Sequence, residues 1–205
     1  MNKIISVRPA QEQFSITWML GSRCNYDCMY CPPDLHDKTS QSLALEVLKE
    51  SWQKIHKKTQ HSNLPYKLSF TGGEVTANKN FLPFTKWLRS EYSDVSMILI
   101  TTNGSASLNY YQRLTNYVEA ISFSTHSEHM NEQEFFHKVE KINNIMIRPT
   151  KSVHVNIMDE FWNKDRIPKY QNWLSDRGIS HSVNQIGYSS QTRSFPILKG
   201  TLNLE

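Results

Sequence analysis

The 205-residue chain contains no apolar run of about 18 residues, so no membrane-spanning helix is expected of it. Met1 to Phe14 lacks the apolar stretch of a secretory signal. The three cysteines all fall between positions 24 and 31, too few for a disulfide framework, and reduced, cytoplasmic chemistry is the expectation. Neither a Walker A loop nor a GxGxxG fingerprint is present, which removes the two commonest phosphate cradles. There are no repeats, no low-complexity tract and no internal linker. Charge of neither sign dominates: 23 Lys plus Arg against 19 Asp plus Glu leaves +4, which suits an anionic partner without requiring one. What is present is bulk. Hydrophobic residues make up 38%, including nine Phe, nine Tyr and five Trp, enough to bury one real core. That core is expected over 1–187, with 1–13 as an N-terminal extension and 188–205, where the chain turns polar, as a C-terminal one.

Strand and helix patterns alternate through the core. Phe14 to Leu20 reads as a buried strand running into the cysteines, and Leu45, Leu48, Trp52 and Ile55 form an apolar helical stripe with Ser40 or Ser42 as its cap. Tyr66 to Phe70, Met97 to Thr101, Ala120 to Ser124, Ser152 to Met158 and 179–186 read as five further strands. Helical stripes around Phe84, Tyr111, Val139 and Trp173 separate them. This order predicts an α/β fold with a parallel sheet and right-handed crossovers, either open or curled toward a barrel. Lys54, Lys57 and Lys58 read as a solvated helix end, and Trp162 and Trp173 as packing residues.

Cys24, Cys28 and Cys31 are spaced C-x3-C-x2-C on an eight-residue loop, close enough for three thiolates to meet one metal centre. Three thiolates on a [4Fe–4S] cluster would leave one iron without a protein ligand, open to a chelating molecule. Zinc is the alternative, with His36 as a fourth ligand, and three unligated thiols the plainest one.

These cysteines, with aromatic Tyr30 before the last, resemble the CxxxCxΦC signature of the radical S-adenosylmethionine superfamily. The resemblance spans roughly residues 14–187. It implies a partial (β/α)6 TIM-like barrel of parallel strands, and a [4Fe–4S] cluster held by Cys24, Cys28 and Cys31 with Tyr30 beside the cofactor. S-adenosyl-L-methionine would chelate the open iron. One electron from a reduced flavodoxin or ferredoxin would cleave it to a 5′-deoxyadenosyl radical that abstracts hydrogen from a substrate.

Four further groups then gain a role. Thr71-Gly72-Gly73-Glu74 ends the second strand, where the family places a GGE motif on the cofactor's amino group; Val75 stands where the family often has proline. Its glycines permit close approach of a ligand to the main chain, although an ordinary strand–helix turn fits the same residues. Thr102-Asn103-Gly104 resembles the family's turn after the third strand. Ser124-Thr125-His126 resembles its ribose-binding Ser-x-Asp pair, with His126 in place of the acid and a proton-transfer role open to it. Asn156 ends the fifth strand, where a ribose or carboxylate contact or an internal hydrogen bond would satisfy it. All five groups fall at strand carboxyl ends, where parallel α/β folds bind ligands. With no cysteine after Cys31, no auxiliary cluster is expected of these residues. A small-molecule or nucleotide substrate is expected ahead of a peptide or protein, whether modified directly or activated as a glycyl-radical enzyme. The rival of another class is a zinc-stabilised nucleic-acid-binding module.

Overall fold

The computed structural model describes residues 12–32, 37–147 and 149–186. His36, most of the N-terminal extension and the whole C-terminal extension lie outside these residues. Six strands alternate with five helices: β1 (Phe14–Met19), α1 (Leu45–Thr59), β2 (Tyr66–Thr71), α2 (Phe81–Glu91), β3 (Val95–Thr102), α3 (Leu108–Leu114), β4 (Ala120–Ser124), α4 (Glu132–Met146), β5 (Ser152–Asp159), α5 (Ile167–Ser175) and β6 (Ser180–Gln185). Every neighbouring pair is parallel and the spatial order is β1-β2-β3-β4-β5-β6. β1 and β6 do not pair, so the sheet stays open. No described helix is long and apolar enough to cross a membrane.

A sheet whose strands follow in chain order, each joined to the next by a right-handed crossover, keeps all its helices on one side. Burial follows that geometry. Tyr66, Leu68 and Phe70, Ile98 and Ile100, Ile121 and Phe123, and Val153, Val155 and Ile157 are buried in one core with Leu48, Trp52, Phe84, Leu114, Val139 and Leu174 from the helices. The alternate strand residues, among them Thr17, Ser69, Thr101, Ser122, Asn156 and Ser182, face the other way and stay partly or fully exposed. Among the described residues, one face of the sheet is therefore filled by helices and no helix covers the other.

One helix start differs from the sequence-based expectation. α1 begins at Leu45 behind Ala44, which makes no side-chain cap, so neither Ser40 nor Ser42 serves. Ser40 instead belongs to the cysteine loop's closure. α3 ends at Leu114. α3 is capped by Ser107, whose hydroxyl accepts from the Tyr110 N–H at 3.2 Å. Ser107→Ala is expected to cost about 1 kcal/mol, read as a fall in Tm of roughly 2–4 °C.

Candidate metal and cofactor site

The cysteine loop leaves β1 at Leu20 and is fastened along its first limb by the turn that ends β2. Leu20 N–H donates to Thr71 O at 2.9 Å, Gly73 N–H to Gly21 O at 2.8 Å and Glu74 N–H to Arg23 O at 2.8 Å. This crossing explains both glycines. Gly72 has φ +135, and a Cβ on Gly73 would lie 2.2 Å from Arg23 O and 2.5 Å from Ser22 O. The close approach expected of a ligand is made by the cysteine loop's own backbone.

The base of the loop is closed by Asp37. Arg23 and Asp37 form a parallel bridge, with Cys24 N–H donating to Asp37 O and Asp37 N–H to Ser22 O, each at 2.8 Å. The Asp37 carboxylate accepts from the hydroxyls of Ser22 at 2.8 Å and Ser40 at 2.5 Å and from the Thr39 N–H at 2.7 Å. Hydrogen bonds from the Ser40 hydroxyl and N–H, then from Ser22, hold Asp37 well below the usual carboxylate range.

The far limb is clasped by the loop after β4. Met29 N–H donates to Glu128 Oε2 at 3.0 Å. The Tyr26 ring stacks on His129 with centroids 5.0 Å apart, and the Tyr30 ring lies parallel to His126, 7° off. His126 Nδ1 meets the Tyr30 hydroxyl and stands 3.5 Å from Cys28 Sγ. From the turn after β3, Asn103 Nδ2 donates to Asn25 Oδ1 at 3.0 Å and points at Cys24 Sγ from 4.0 Å.

Between these limbs lies a cavity of about 170 Å³. Cys24, Cys28 and Cys31 line it together with Tyr30, Thr71, Gly72, Gly73, Thr102, Asn103, Ser124 and His126. Two residues picked from the sequence stand outside that lining. Glu74 is buried with its carboxylate turned to β3, accepting from the Thr102 hydroxyl at 2.7 Å, the Asn103 N–H at 2.6 Å and Thr76. It braces the Thr102–Asn103 turn from behind. Asn156 donates to the hydroxyls of Ser122 at 2.8 Å and Ser124 at 3.3 Å, the internal partners that a polar residue there requires.

Burial pushes the thiols of Cys24 and Cys28 up, and Glu128 adds to the rise at Cys28. Burial holds His126 down to about 4, so at neutral pH it is uncharged and offers one donor and one acceptor. Thiols that stay protonated when alone give up their protons to a bound metal. The donor set fits: three cysteines line one cavity, and soft sulfur ligands suit an iron–sulfur cluster. Cys28, Glu128 and His129 also bring their ligand atoms within 4.8 Å of one another.

Asp37, Lys138, Ser127 and Glu160 had no motif to announce them. Lys138 reaches from α4 to donate to Gly104 O at 2.6 Å, fixing the turn after β3, and is buried in doing so. The partner that gives each its role lies 33 or more residues away in the chain: Gly104 for Lys138, and Ser127 and Glu160 for one another. Asp37 was readable only as an acid followed by Ser and Thr, the pattern of a side chain bonding its own turn.

No protein-family model matches the chain, and no curated protein does. Solved structures do. SuiB of Streptococcus suis bound to S-adenosylmethionine superposes with a TM-score of 0.65 and 12% identity, over 92% of this chain and 45% of that one. SuiB bound to its precursor peptide SuiA gives 0.65 and 12%, over 90% and 43%. The protein anSMEcpe with bound AdoMet gives 0.61 and 15%, over 86% and 50%. The chain thus spans about half or less of the length of these proteins. At such identities the likeness is one of architecture, and it gives this chain the open partial-barrel fold of the radical S-adenosylmethionine enzymes.

Proposed function

We propose that the chain is a radical S-adenosylmethionine enzyme, or the part of one that carries its cluster and cofactor. One observation carries this reading: three thiols on a single eight-residue loop share a cavity with the ends of β2, β3 and β4. In it, Cys24, Cys28 and Cys31 hold a [4Fe–4S] cluster. Thr71, Gly72 and Gly73 offer main-chain groups to S-adenosylmethionine, and Asn103, Ser124 and neutral His126 offer hydrogen bonds to its polar atoms. The bound cofactors supply a 5′-deoxyadenosyl radical for hydrogen abstraction, with a reduced flavodoxin or ferredoxin as electron source. The protein's part is to hold three thiolates, orient the cofactor and keep water out.

The free face of the sheet bears on the substrate. Along its strands Lys67 is the single lysine, arginine or carboxylate, amid hydroxyls and amides such as Thr17, Ser69, Thr101, Asn156 and Ser182. A nucleotide's phosphates ask for several cations, so of the small-molecule and nucleotide substrates expected ahead of a peptide this wall disfavours the nucleotide, and it favours an uncharged, hydrogen-bonding substrate. The precursor peptide bound by SuiB makes a peptide the first candidate of that kind to try. The zinc reading draws on one specific observation, the grouping of Cys28 with Glu128 and His129.

Anaerobic reconstitution separates the two. About four irons per chain, and 5′-deoxyadenosine on adding dithionite and S-adenosylmethionine, are the expected results. One zinc per chain, with no 5′-deoxyadenosine, would overturn the proposal.

A further inference from the structure

Past the end of β5 the chain buries a carboxyl and a carboxamide, each with an oxygen left over. Glu160 and Asn163 are both 0% exposed. Glu160 Oε2 accepts three hydrogen bonds: from the Ser127 N–H at 3.0 Å, from the Ser127 hydroxyl, and from Asn163 Nδ2 at 3.1 Å. Its Oε1 meets no donor among the described residues, and neither does Asn163 Oδ1. Two bare acceptors in the interior, on side chains already joined by one hydrogen bond, cost the desolvation of both, and one of them carries charge. A single proton answers both faults. Placed on Oε1 it removes the charge and becomes a donor, which is what Asn163 Oδ1 lacks.

We propose that Glu160 is a positioning residue that folds with its carboxyl protonated, Oε1–H donating to Asn163 Oδ1 while Asn163 Nδ2 donates to Oε2, and that this neutral acid–amide pair anchors Ser127. Ser127 is the residue after His126. Its hydroxyl also accepts from Trp162 Nε1 at 3.0 Å, and Trp162 packs against Cys28 and Tyr30. The pair therefore pins the loop that presents His126 and Glu128 to the cysteines. Burial pushes Glu160 up to about 7 despite the Ser127 hydrogen bonds that pull it down. Of the charged groups around it, Glu128 reinforces the rise and Arg166, at the start of α5, opposes it; Cys28 faces it from the cysteine loop and Asp159 precedes it in the chain. The step from a placed His126 to chemistry rests on the proposed function; the proton on Glu160 does not.

Thermal melts of the full-length chain at pH 5 to 8 test it. A group raised above its ordinary carboxylate value stabilises the fold most at low pH and loses that contribution as pH climbs through its folded value. Wild type is thus expected to lose ground to Glu160→Gln as pH rises, because the glutamine amide carries its hydrogen at every pH. Glu160→Ala should melt below both throughout. A Gln–wild-type gap that stays flat with pH, or a Gln variant as unstable as the Ala variant, overturns the proposal. Infrared difference spectra at pH 6 give a second readout. A protonated-carboxyl band lost in Glu160→Gln is expected, and its absence from wild type is equally fatal. In the cluster-loaded chain Glu160→Ala should yield several-fold less 5′-deoxyadenosine than Glu160→Gln. If no form yields any, the proposed function fails while the melts and spectra still judge Glu160.

Discussion

Cys28→Ala is expected to fold and yet to lose its cluster, with formation of 5′-deoxyadenosine falling by more than 100-fold. The two halves of this result have separate causes. Cys28 is 6% exposed in a small apolar group with Tyr30, Tyr26, Met158, Phe161 and Trp162. In the metal-free chain its sulfur acts as a small hydrophobe, so truncation costs only about 1 kcal/mol. The fastenings of the loop at Gly73, Glu74 and Asp37 lie on other residues and survive the change. Metal binding is another matter. Losing even a residue behind a ligand costs about 10–100-fold in metal affinity, and losing one of three ligands exceeds that. Iron content, the visible absorption of the reconstituted chain and the yield of 5′-deoxyadenosine read the loss. A variant that keeps four irons and wild-type turnover would remove Cys28 from the site. His129→Ala divides the iron–sulfur and zinc readings: it leaves the iron in place if the cysteines alone hold a cluster, and it releases zinc if Cys28, Glu128 and His129 form the centre.

The parts of this site that could be read in the sequence are those whose signal is local. The C-x3-C-x2-C spacing, the strand before it and the Gly-Gly pair at the end of β2 lie within short windows, and the parallel alternation follows from apolar runs of strand length divided by helical stripes. What escaped depends on distance along the chain. Glu74 has the look of a residue facing the cofactor, yet its partners are Thr102 and Asn103, 28 and 29 residues on, and only the pairing of β2 with β3 makes them neighbours. Glu160 and Ser127 meet because β4 and β5 are paired in register, Ser124 opposite Asn156. Ser40 looks like a helix cap because capping and loop closure both use a hydroxyl next to exposed N–H groups. Asp37 claimed it first. The glycines were singled out for close approach, and the backbone of the cysteine loop makes one such approach: a missing Cβ announces that something comes close, not what comes.

Gly73→Ala is the substitution expected to damage the fold itself most. The added methyl would sit 2.2 Å from Arg23 O and 2.5 Å from both Arg23 C and Ser22 O, all three backbone atoms that cannot swing aside as a side-chain tip would. Relief requires the cysteine loop to lift off the β2 turn. That breaks the Gly73–Gly21 and Glu74–Arg23 hydrogen bonds and draws Cys24 away from Cys28 and Cys31. Overpacking of this kind typically costs about 1–3 kcal/mol, and the rigid neighbours put Gly73 at the upper end. At roughly 2–4 °C per kcal/mol for a chain of this size, Tm should fall by about 6–12 °C. Gly178→Ala is the control. Gly178 has φ +63 with nothing within 4 Å, so its alanine meets conformational strain alone, about 1–2 kcal/mol. It stands after α5, away from the cysteines. The two variants should therefore part most clearly in metal uptake: Gly178→Ala binds iron like wild type when folded, whereas Gly73→Ala binds little even below its melting temperature. Equal uptake by both would mean that the glycine turn supports the sheet without setting the cysteine loop.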